Sequence, residues 1–277
     1  MGALTSSALD NVAREIFDVL DTGGQIAPFT PRLGSFTNED AYAVTARVRE
    51  LREARGERPV GRKIGFTNRT IWSEYGVFAP IWGYVYDRTV HDLGDAGNEF
   101  ALEHLAEPRI EPEIAFKLRS APRAGMTPEE LLSAIEWVTH GFEIVQSIYP
   151  AWKFSAADSI AAGGLHGALL LGPQRVAPGP SAEWLRALRS FEIDLYREEE
   201  IIDRGQAANV LDGPLHALLH VIDVLESDPH NPSLSAGEIV TTGTLTRAFP
   251  VLPGERWSTV LHGVGLSGIG VRFRSAA

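Results

Sequence analysis

From residue 59 onward, Gly, Pro and Asp divide the chain into short apolar runs that favour β-strands, and this restricts the fold more than any other feature. Few of these runs are separated by the helical segments that parallel βαβ units need. The predicted strands occupy residues 60–66, 83–87, 110–118, 141–147, 164–171, 238–242, 256–261 and 269–273. Predicted helices between them occupy residues 127–138, opened by a capping box, and 214–225. This order predicts an α+β protein with a large curved sheet.

Helical patterns dominate the N-terminus instead. Apolar residues recur at helical spacing over residues 7–20 and again over residues 38–54, and Gly residues follow both segments. We therefore expect a helical N-terminal cap over residues 1–58 and a second domain over residues 59–277.

The composition excludes several classes of protein. The formal net charge is −11 and basic residues do not cluster, so a nucleic-acid surface is not expected. There are no cysteines, which removes disulfides, thiolate nucleophiles and cysteine-ligated metals. No apolar stretch approaches the roughly 20 residues that cross a bilayer, and residues 1–20 lack the core of a signal peptide. We expect a cytoplasmic protein without a membrane partner.

Three glutamates lie in apolar, strand-like surroundings. Glu111 and Glu113 are two apart, so on a strand their carboxylates point to one side, about 7 Å apart at the backbone. Glu143 lies on a second apolar run, where an ionised side chain is unusual unless it is paired. Three carboxylates suit a hard cation, Mg²⁺ or Mn²⁺, and leave coordination positions for a 2-oxo acid. Because glutamate pairs are also common on solvated strands, spacing alone leaves both interpretations open.

Other motifs surround these glutamates in a characteristic order. The sequence VGRKIGFT, at residues 60–67, precedes them. Further motifs are Asp40-Ala41-Tyr42, Trp152-Lys153, Asp158-Ser159, Thr241-Thr242-Gly243-Thr244 and Pro253-Gly254-Glu255. From about residue 40 to the C-terminus, the chain resembles the 2-keto-4-pentenoate hydratase family. That family includes 2-oxohept-4-ene-1,7-dioate hydratases and 4-oxalocrotonate decarboxylases, and it belongs to the fumarylacetoacetate hydrolase superfamily.

The resemblance implies a magnesium site at Glu111, Glu113 and Glu143, with Lys63 beside the substrate. It also implies a mixed β-roll catalytic domain of the fumarylacetoacetate hydrolase type behind the helical N-terminal region. A charge argument independently supports Lys63 in the site. Three glutamates and a bound acid carry more negative charge than one dication neutralises, and a nearby ammonium would offset the surplus. The expected partners are a small 2-oxo acid and further copies of the chain in a homo-oligomer.

The predicted substrate-binding residues are Lys63, Trp82, Phe142, Gly243 and Thr244. Trp82 ends an aromatic stretch after Lys63, and core packing is an equal alternative for that stretch. Asp158 is predicted to be a second catalytic residue that orients water or relays a proton, with a structural role as its alternative.

The reaction expected from the resemblance is metal-dependent addition of water to a 2-hydroxy-2,4-dienoate in aromatic-compound catabolism. Decarboxylation of a 2-oxo-3-enedioate is the near alternative. An acylpyruvate C–C hydrolase would need a base for water, for which only His140 and His166 are candidates. A non-catalytic protein that binds a metal or a 2-oxo acid is a further alternative.

The sequence also departs from the family pattern at two places. An expected Asp-Asn pair is replaced by Ala162 and Gly163, and an expected Leu-Gly-His-Pro is replaced by Leu-Asp-Gly-Pro at residues 211–214. Polar groups expected near the substrate are therefore missing, which is why the alternatives stay open.

Two other motifs do not predict function. The pattern G-x-G-x-x-G at residues 263–268 is followed by too few residues for a dinucleotide-binding unit. His216 and His220 have the spacing of a zinc protease helix, but Ala217 stands where the catalytic glutamate is needed.

Overall fold

The computed structural model describes residues 4–69, 72–75, 77–94 and 98–275, without the side chains of Glu74 and Tyr75. The helices are α1 (Ser6–Val19), α2 (Thr30–Leu33), α3 (Asn38–Ala54), α4 (Trp72–Tyr75), α5 (Pro128–Ser133), α6 (Ala156–Ala161), α7 (Ala182–Ser190) and α8 (Pro214–Glu226). The strands are β1 (Pro59–Gly65), β2 (Ile81–Tyr86), β3 (Val90–Asp92), β4 (Glu99–Ala101), β5 (Arg109–Leu118), β6 (Ile135–Val145), β7 (His166–Leu171), β8 (Glu192–Arg197), β9 (Glu200–Gln206), β10 (Ile239–Thr241), β11 (Phe249–Pro250), β12 (Arg256–His262) and β13 (Gly270–Arg274).

Within the described residues the strands form two mixed sheets. The larger has the order β2-β1-β10-β5-β6-β7-β3, with β11 added to β5, and the smaller has the order β4-β13-β12-β8-β9. Strand pairs β1/β10, β3/β7 and β4/β13 are parallel, and the other pairs are antiparallel. Helices and mixed sheets together confirm the predicted α+β class.

The long hairpin of β5 and β6 forms the centre of the larger sheet. Ten residue pairs align from Arg109↔Val145 to Leu118↔Ile135. One face packs against β12 and β13 through Ile110, Phe142, Ile144 and other apolar side chains. Burial on both faces explains why these strands read as nearly continuous apolar runs.

The predicted helix at residues 127–138 is wrong at its C-terminal end. The capping box of Thr127 and Glu130 does open α5, but the helix ends at Ser133 and β6 begins at Ile135. Pairing with β5 along the whole of β6 overrides the local helical signal. The predicted strand at residues 141–147 therefore starts six residues too late. The sequence prediction also missed α6, α7, β8 and β9.

Residues 4–58 contain α1 and α3, which confirm the two predicted helices, and the short α2, which the sequence did not predict. Their apolar side chains join a cluster that includes Ile81, Tyr149 and Ile160 from the following region. This shared core ties the N-terminal helices to the sheet, and the boundary at residue 58 stays a prediction. No helix in the described ranges combines the length and apolar character that a membrane crossing needs.

Candidate metal and substrate site

The three predicted glutamates meet on one face of the central hairpin. Glu111 lies directly opposite Glu143, and Glu113 lies opposite Gly141 on β6. Residues in register share a face of the sheet, so the three carboxylates project to the same side. One oxygen from each lies within 4.8 Å of the others. The register of a single strand pair therefore builds the cluster.

Two of these carboxylates each use one oxygen in a hydrogen bond with the protein. Glu113 Oε2 accepts from the amide nitrogen of Gly243 at 2.9 Å. Glu143 Oε1 accepts from His166 Nδ1 at 2.8 Å. Of their other oxygens, Glu113 Oε1 is buried and accepts no hydrogen bond from the described residues, and Glu143 Oε2 faces the ammonium of Lys63 at 3.2 Å. Buried anionic oxygens without a donor are costly, so this donor set fits a hard cation such as Mg²⁺ or Mn²⁺.

The pKa shifts of the three glutamates also support a cation site. Burial raises the pKa of Glu111 to about 7, although Lys63 opposes the rise. Burial, followed by repulsion from Glu143 and Glu111, raises the pKa of Glu113 well above its usual value. Burial also acts to raise the pKa of Glu143, but Lys63 and His166 outweigh it and the pKa is lowered. Without a cation, protons must therefore replace part of the missing positive charge.

Lys63 brings its ammonium group into the same cluster from β1. Its Nζ lies 3.2 Å from Glu143 Oε2 and donates to the carbonyl oxygen of Gly164 at 2.8 Å. Burial would lower the pKa of Lys63, but attraction to Glu143, Glu111 and Glu113 dominates and raises it. The side chain is therefore a fixed cation and hydrogen-bond donor, and it is a poor base.

Gly243 has a conformation that other residues adopt with strain. Its φ is +97°, and a Cβ there would lie 1.8 Å from Thr67 Oγ1. The absence of a side chain lets the backbone approach Glu113 closely enough to donate its hydrogen bond. Thr244 follows it in the wall of the site, and its hydroxyl donates to the Thr246 carbonyl oxygen at 3.0 Å.

Two buried histidines support the glutamates from behind. His140 Nδ1 donates to the carbonyl oxygen of Glu113 at 2.8 Å, and its Nε2 lies 2.9 Å from Thr259 Oγ1. Burial lowers the pKa of His140 to about 4, so the ring is neutral near pH 7. His166 contacts Glu143 through Nδ1 and Thr89 Oγ1 through Nε2, at 2.9 Å. These rings position the glutamates, and neither lines the main cavity.

An open cavity of about 470 Å³ leads from the cluster to the surface. Lys63, Glu111, Gly243 and Thr244 lie in its wall with apolar side chains that include Val145, Trp152, Ile202 and Phe249. The arrangement is suited to hold a small acid whose polar end reaches the glutamates and whose carbon chain lies between apolar walls.

The structure does not bring all predicted site residues to this cavity. Trp82 is 1% exposed and stacks on Tyr42, with ring centroids 5.1 Å apart. Phe142 is fully buried in the core between the sheets, because it lies on the opposite face of β6 from Glu143. Both placements correct the predicted substrate contacts: these aromatic side chains pack in the protein interior.

Asp158 is also placed away from the cavity. Its Oδ1 accepts from the amides of Phe29 and Thr30 at 2.8 and 3.0 Å. Its Oδ2 accepts from the amide and hydroxyl of Ser155, the N-cap residue of α6. This placement argues against the predicted catalytic role and favours the structural alternative, because Oδ1 holds the N-terminal segment and Oδ2 closes the capping box of α6.

Sequence reasoning overlooked two arginines in the cavity wall, Arg109 and Arg247. Arg109 is two residues before Glu111 on β5, so strand periodicity alone places it on the same face. Arg247 lies in an irregular segment before β11, where no periodicity identifies the direction of a side chain. Ala162 and Gly163, which stand where the family pattern has an Asp-Asn pair, line a separate cavity of about 30 Å³ together with His166.

Comparisons with known proteins agree with this geometry. No protein-family model matches the chain. The chain is 31% identical over 252 residues to 2-keto-4-pentenoate hydratase 2 of Dechloromonas aromatica (strain RCB), covering 88% of this chain and 89% of that protein. It is 29% identical over 262 residues to 2-hydroxyhexa-2,4-dienoate hydratase of Comamonas testosteroni, covering 94% and 96%. The 4-oxalocrotonate decarboxylase of Pseudomonas putida G7, solved with magnesium and adipate, superposes with a TM-score of 0.88 at 25% identity, covering 99% of this chain and 100% of that one. The chain therefore belongs to the 2-keto-4-pentenoate hydratase and 4-oxalocrotonate decarboxylase family.

Proposed function

We propose that this protein is a lyase that uses Mg²⁺ or Mn²⁺ to add water to a 2-hydroxy-2,4-dienoate, giving a 4-hydroxy-2-oxo acid in aromatic-compound catabolism. The observation that supports it most directly is the convergence of Glu111, Glu113 and Glu143 within 4.8 Å, with Glu111 in the wall of an open cavity. Hydratases of such substrates are among the relatives that match along nearly the whole chain.

The glutamates would hold the cation, with Glu113 fixed by Gly243 and Glu143 fixed by His166. A bound divalent cation supplies Lewis acidity, which polarises the 2-oxo group of an acid in the cavity. Three carboxylates would not fill the coordination of such a cation, so the carboxylate and keto oxygens of the acid could bind it as well.

Lys63 contributes a fixed ammonium next to this position. Hydration requires a proton at C5 of the dienoate, followed by attack of water at C4, so the substrate oxygen carries changing charge during the reaction. The Lys63 ammonium, which lies 3.2 Å from Glu143, would donate a hydrogen bond to that oxygen. Val145, Trp152 and Phe249 would cover the carbon chain and limit the water that reaches it.

The test combines metal binding with turnover. Mn²⁺ affinity is measured by calorimetry, and loss of the dienol absorbance of 2-hydroxypenta-2,4-dienoate is followed with and without Mg²⁺. Glu113→Gln should abolish both signals because the amide supplies neither the charge nor two equivalent acceptor oxygens. Glu136→Gln is the matched control, because Glu136 lies on β6 and pairs with Lys117, 3.6 Å away, outside the cavity wall. Turnover that needs no metal, or survives Glu113→Gln, would contradict the proposal.

Decarboxylation is the second candidate, favoured by the close superposition on the 4-oxalocrotonate decarboxylase. Both reactions depend on polarising the same 2-oxo group. Incubation with 2-oxohex-3-enedioate and measurement of released CO₂ distinguishes them: CO₂ without a 4-hydroxy product identifies a decarboxylase. Binding of oxalate without turnover of any dienoate, enedioate or acylpyruvate would identify the non-catalytic alternative.

A cytoplasmic location and a homo-oligomeric state, both expected from the sequence, stay predictions. Cell fractionation checks the first, and light scattering of the purified chain checks the second.

A further inference from the structure

The cavity wall holds charged side chains besides those of the metal cluster. Lys63 and the three glutamates provide one ammonium and three carboxylates around the proposed cation. The other charged groups in the wall are the guanidinium groups of Arg109 and Arg247 and one carboxylate, that of Asp203. Two cationic groups and one anionic group therefore line the cavity in addition to the groups around the proposed cation.

The position of Arg109 follows from the strand that builds the metal cluster. Arg109, Glu111 and Glu113 alternate along β5 and share one face, with Glu113 buried and the other two partly exposed. Two residues of strand separate Arg109 from Glu111 by about 7 Å at the backbone. An acid that binds at the glutamates and extends along β5 therefore reaches Arg109 with its far end.

The guanidinium of Arg109 is held by an aromatic side chain. Its Cζ lies 4.1 Å from the ring centroid of Trp152, and Trp152 Nε1 donates to the Glu107 carbonyl oxygen at 3.1 Å. Stacking engages the face of a guanidinium, whereas a carboxylate binds along its edge, so both interactions are compatible. Trp152 thus restricts Arg109 to a position in the cavity wall.

Arg247 lies in the cavity wall on a segment that is anchored on both sides. Leu245 donates its amide to Pro112 at 2.9 Å, and Phe249 pairs with Ile110 across β5. Between these anchors, the amide of Arg247 donates to Asp203 Oδ2 at 3.1 Å. Asp203 accepts a second amide bond, from Arg204 at 2.9 Å, so its charge is partly balanced by backbone donors.

We propose that Arg109 and Arg247 form a subsite for a second carboxylate, so that the protein selects 2-oxo diacid skeletons over 2-oxo monoacids of equal length. This rests on the proposed function, since the 2-oxo acid end must bind at the glutamates. The subsite narrows the substrate to a 2-hydroxydienedioate.

The experiment uses two probes of equal chain length, 2-oxoadipate and 2-oxohexanoate, which differ in a terminal carboxylate or methyl group. Each is titrated into the Mn²⁺-loaded protein by calorimetry. A charge-assisted hydrogen bond in a partly buried site predicts roughly tenfold to hundredfold tighter binding of the diacid. Arg109→Met and Arg247→Met should each reduce this ratio toward one.

Arg197→Met is the matched control. Arg197 also lies over a tryptophan, with its Cζ 5.8 Å from the Trp257 ring centroid, but it is outside the cavity wall. Its replacement should leave the diacid-to-monoacid ratio unchanged. Thermal unfolding confirms that each variant is folded, and if Arg109→Met is not, Arg247→Met and the wild-type ratio decide.

The outcomes separate the two proposals. Equal binding of both acids by the wild-type protein overturns the subsite and leaves the proposed function intact. Failure of both acids to bind the Mn²⁺-loaded protein overturns the proposed function. A diacid preference that persists in both arginine variants assigns the distal carboxylate to another group and also overturns the subsite.

Discussion

Replacement of His166 by Ala should weaken metal binding although His166 is not a predicted ligand. The Nδ1 atom of His166 lies 2.8 Å from Glu143 Oε1, and the side chain of Glu143 is fully buried. Because an ionised carboxylate only accepts hydrogen bonds, Nδ1 carries the proton in this contact. The contact leaves Glu143 Oε2, the oxygen that faces the Lys63 ammonium, for the cation.

The expected magnitude follows from that contact. A hydrogen bond to a charged group contributes about 1.5–3 kcal/mol net, and each 1.4 kcal/mol is about a factor of ten in affinity. Lys63 still restrains Glu143 from the other side, at 3.2 Å, so part of the orientation survives. We therefore expect Mn²⁺ affinity to fall about tenfold to hundredfold, in the range typical of groups that orient metal ligands.

Calorimetric titration of the metal-free protein with Mn²⁺ measures this change, and thermal unfolding checks that the variant is folded. His166→Asn places an amide donor near the position of Nδ1 and should recover much of the affinity. His220→Ala, on the partly exposed side of α8, is the control and should bind Mn²⁺ as the wild-type protein does. An unchanged dissociation constant in folded His166→Ala would refute the orienting role.

Three further predictions concern the same site and its supports. Gly243→Ala should cost about 1–3 kcal/mol in urea unfolding and weaken Mn²⁺ binding, since a Cβ at φ +97° meets Thr67 and disturbs the amide that holds Glu113. Asp158→Ala should lower the free energy of unfolding by about 3 kcal/mol, since it leaves buried amides without acceptors. The folded variant should retain its kcat, and a large loss of kcat would instead support a catalytic role for Asp158. The thermal stabilisation by Mn²⁺ should increase from pH 5.5 to pH 8. Burial raises the pKa of Glu111 to about 7, so below that pH the cation must displace a proton from the carboxyl group. A stabilisation that does not change with pH would contradict this competition between proton and cation.

The glutamate cluster was predictable because it follows from strand periodicity. Alternation on β5 puts Glu111 and Glu113 on one face, and an apolar run around Glu143 indicates a second buried strand. The register that aligns Glu111 with Glu143 was outside the reach of periodicity, since it depends on the whole hairpin. The same alternation would have identified Arg109.

Other features depended on tertiary contacts that local patterns do not contain. Phe142 precedes Glu143 in sequence, and Trp82 lies opposite Ile64 in the β1/β2 pair, but the pleat turns both aromatic side chains away from the cavity. Ser155 and Asp158 have the spacing of a helix capping box, so the sequence around Asp158 fits a structural role as well as a catalytic one. The strand β6 replaced the end of a well-capped helix because its pairing with β5 is long and buried.

β1 pairs in parallel with β10, a strand that is synthesised much later, so the site can be completed only when the C-terminal part of the chain is present. Lys63 aligns with Thr241, and the amide that fixes Glu113 belongs to Gly243, so the glutamate hairpin is translated long before its last support. Such distant pairing is slow to form, because most of the chain must first be organised between the two strands. A nascent or truncated chain that ends before residue 239 would display the three carboxylates without this support and with an open edge on β1. We therefore expect full metal affinity only after β10 and Gly243 have docked on the sheet. Metal binding during refolding would then report the late docking of these C-terminal segments.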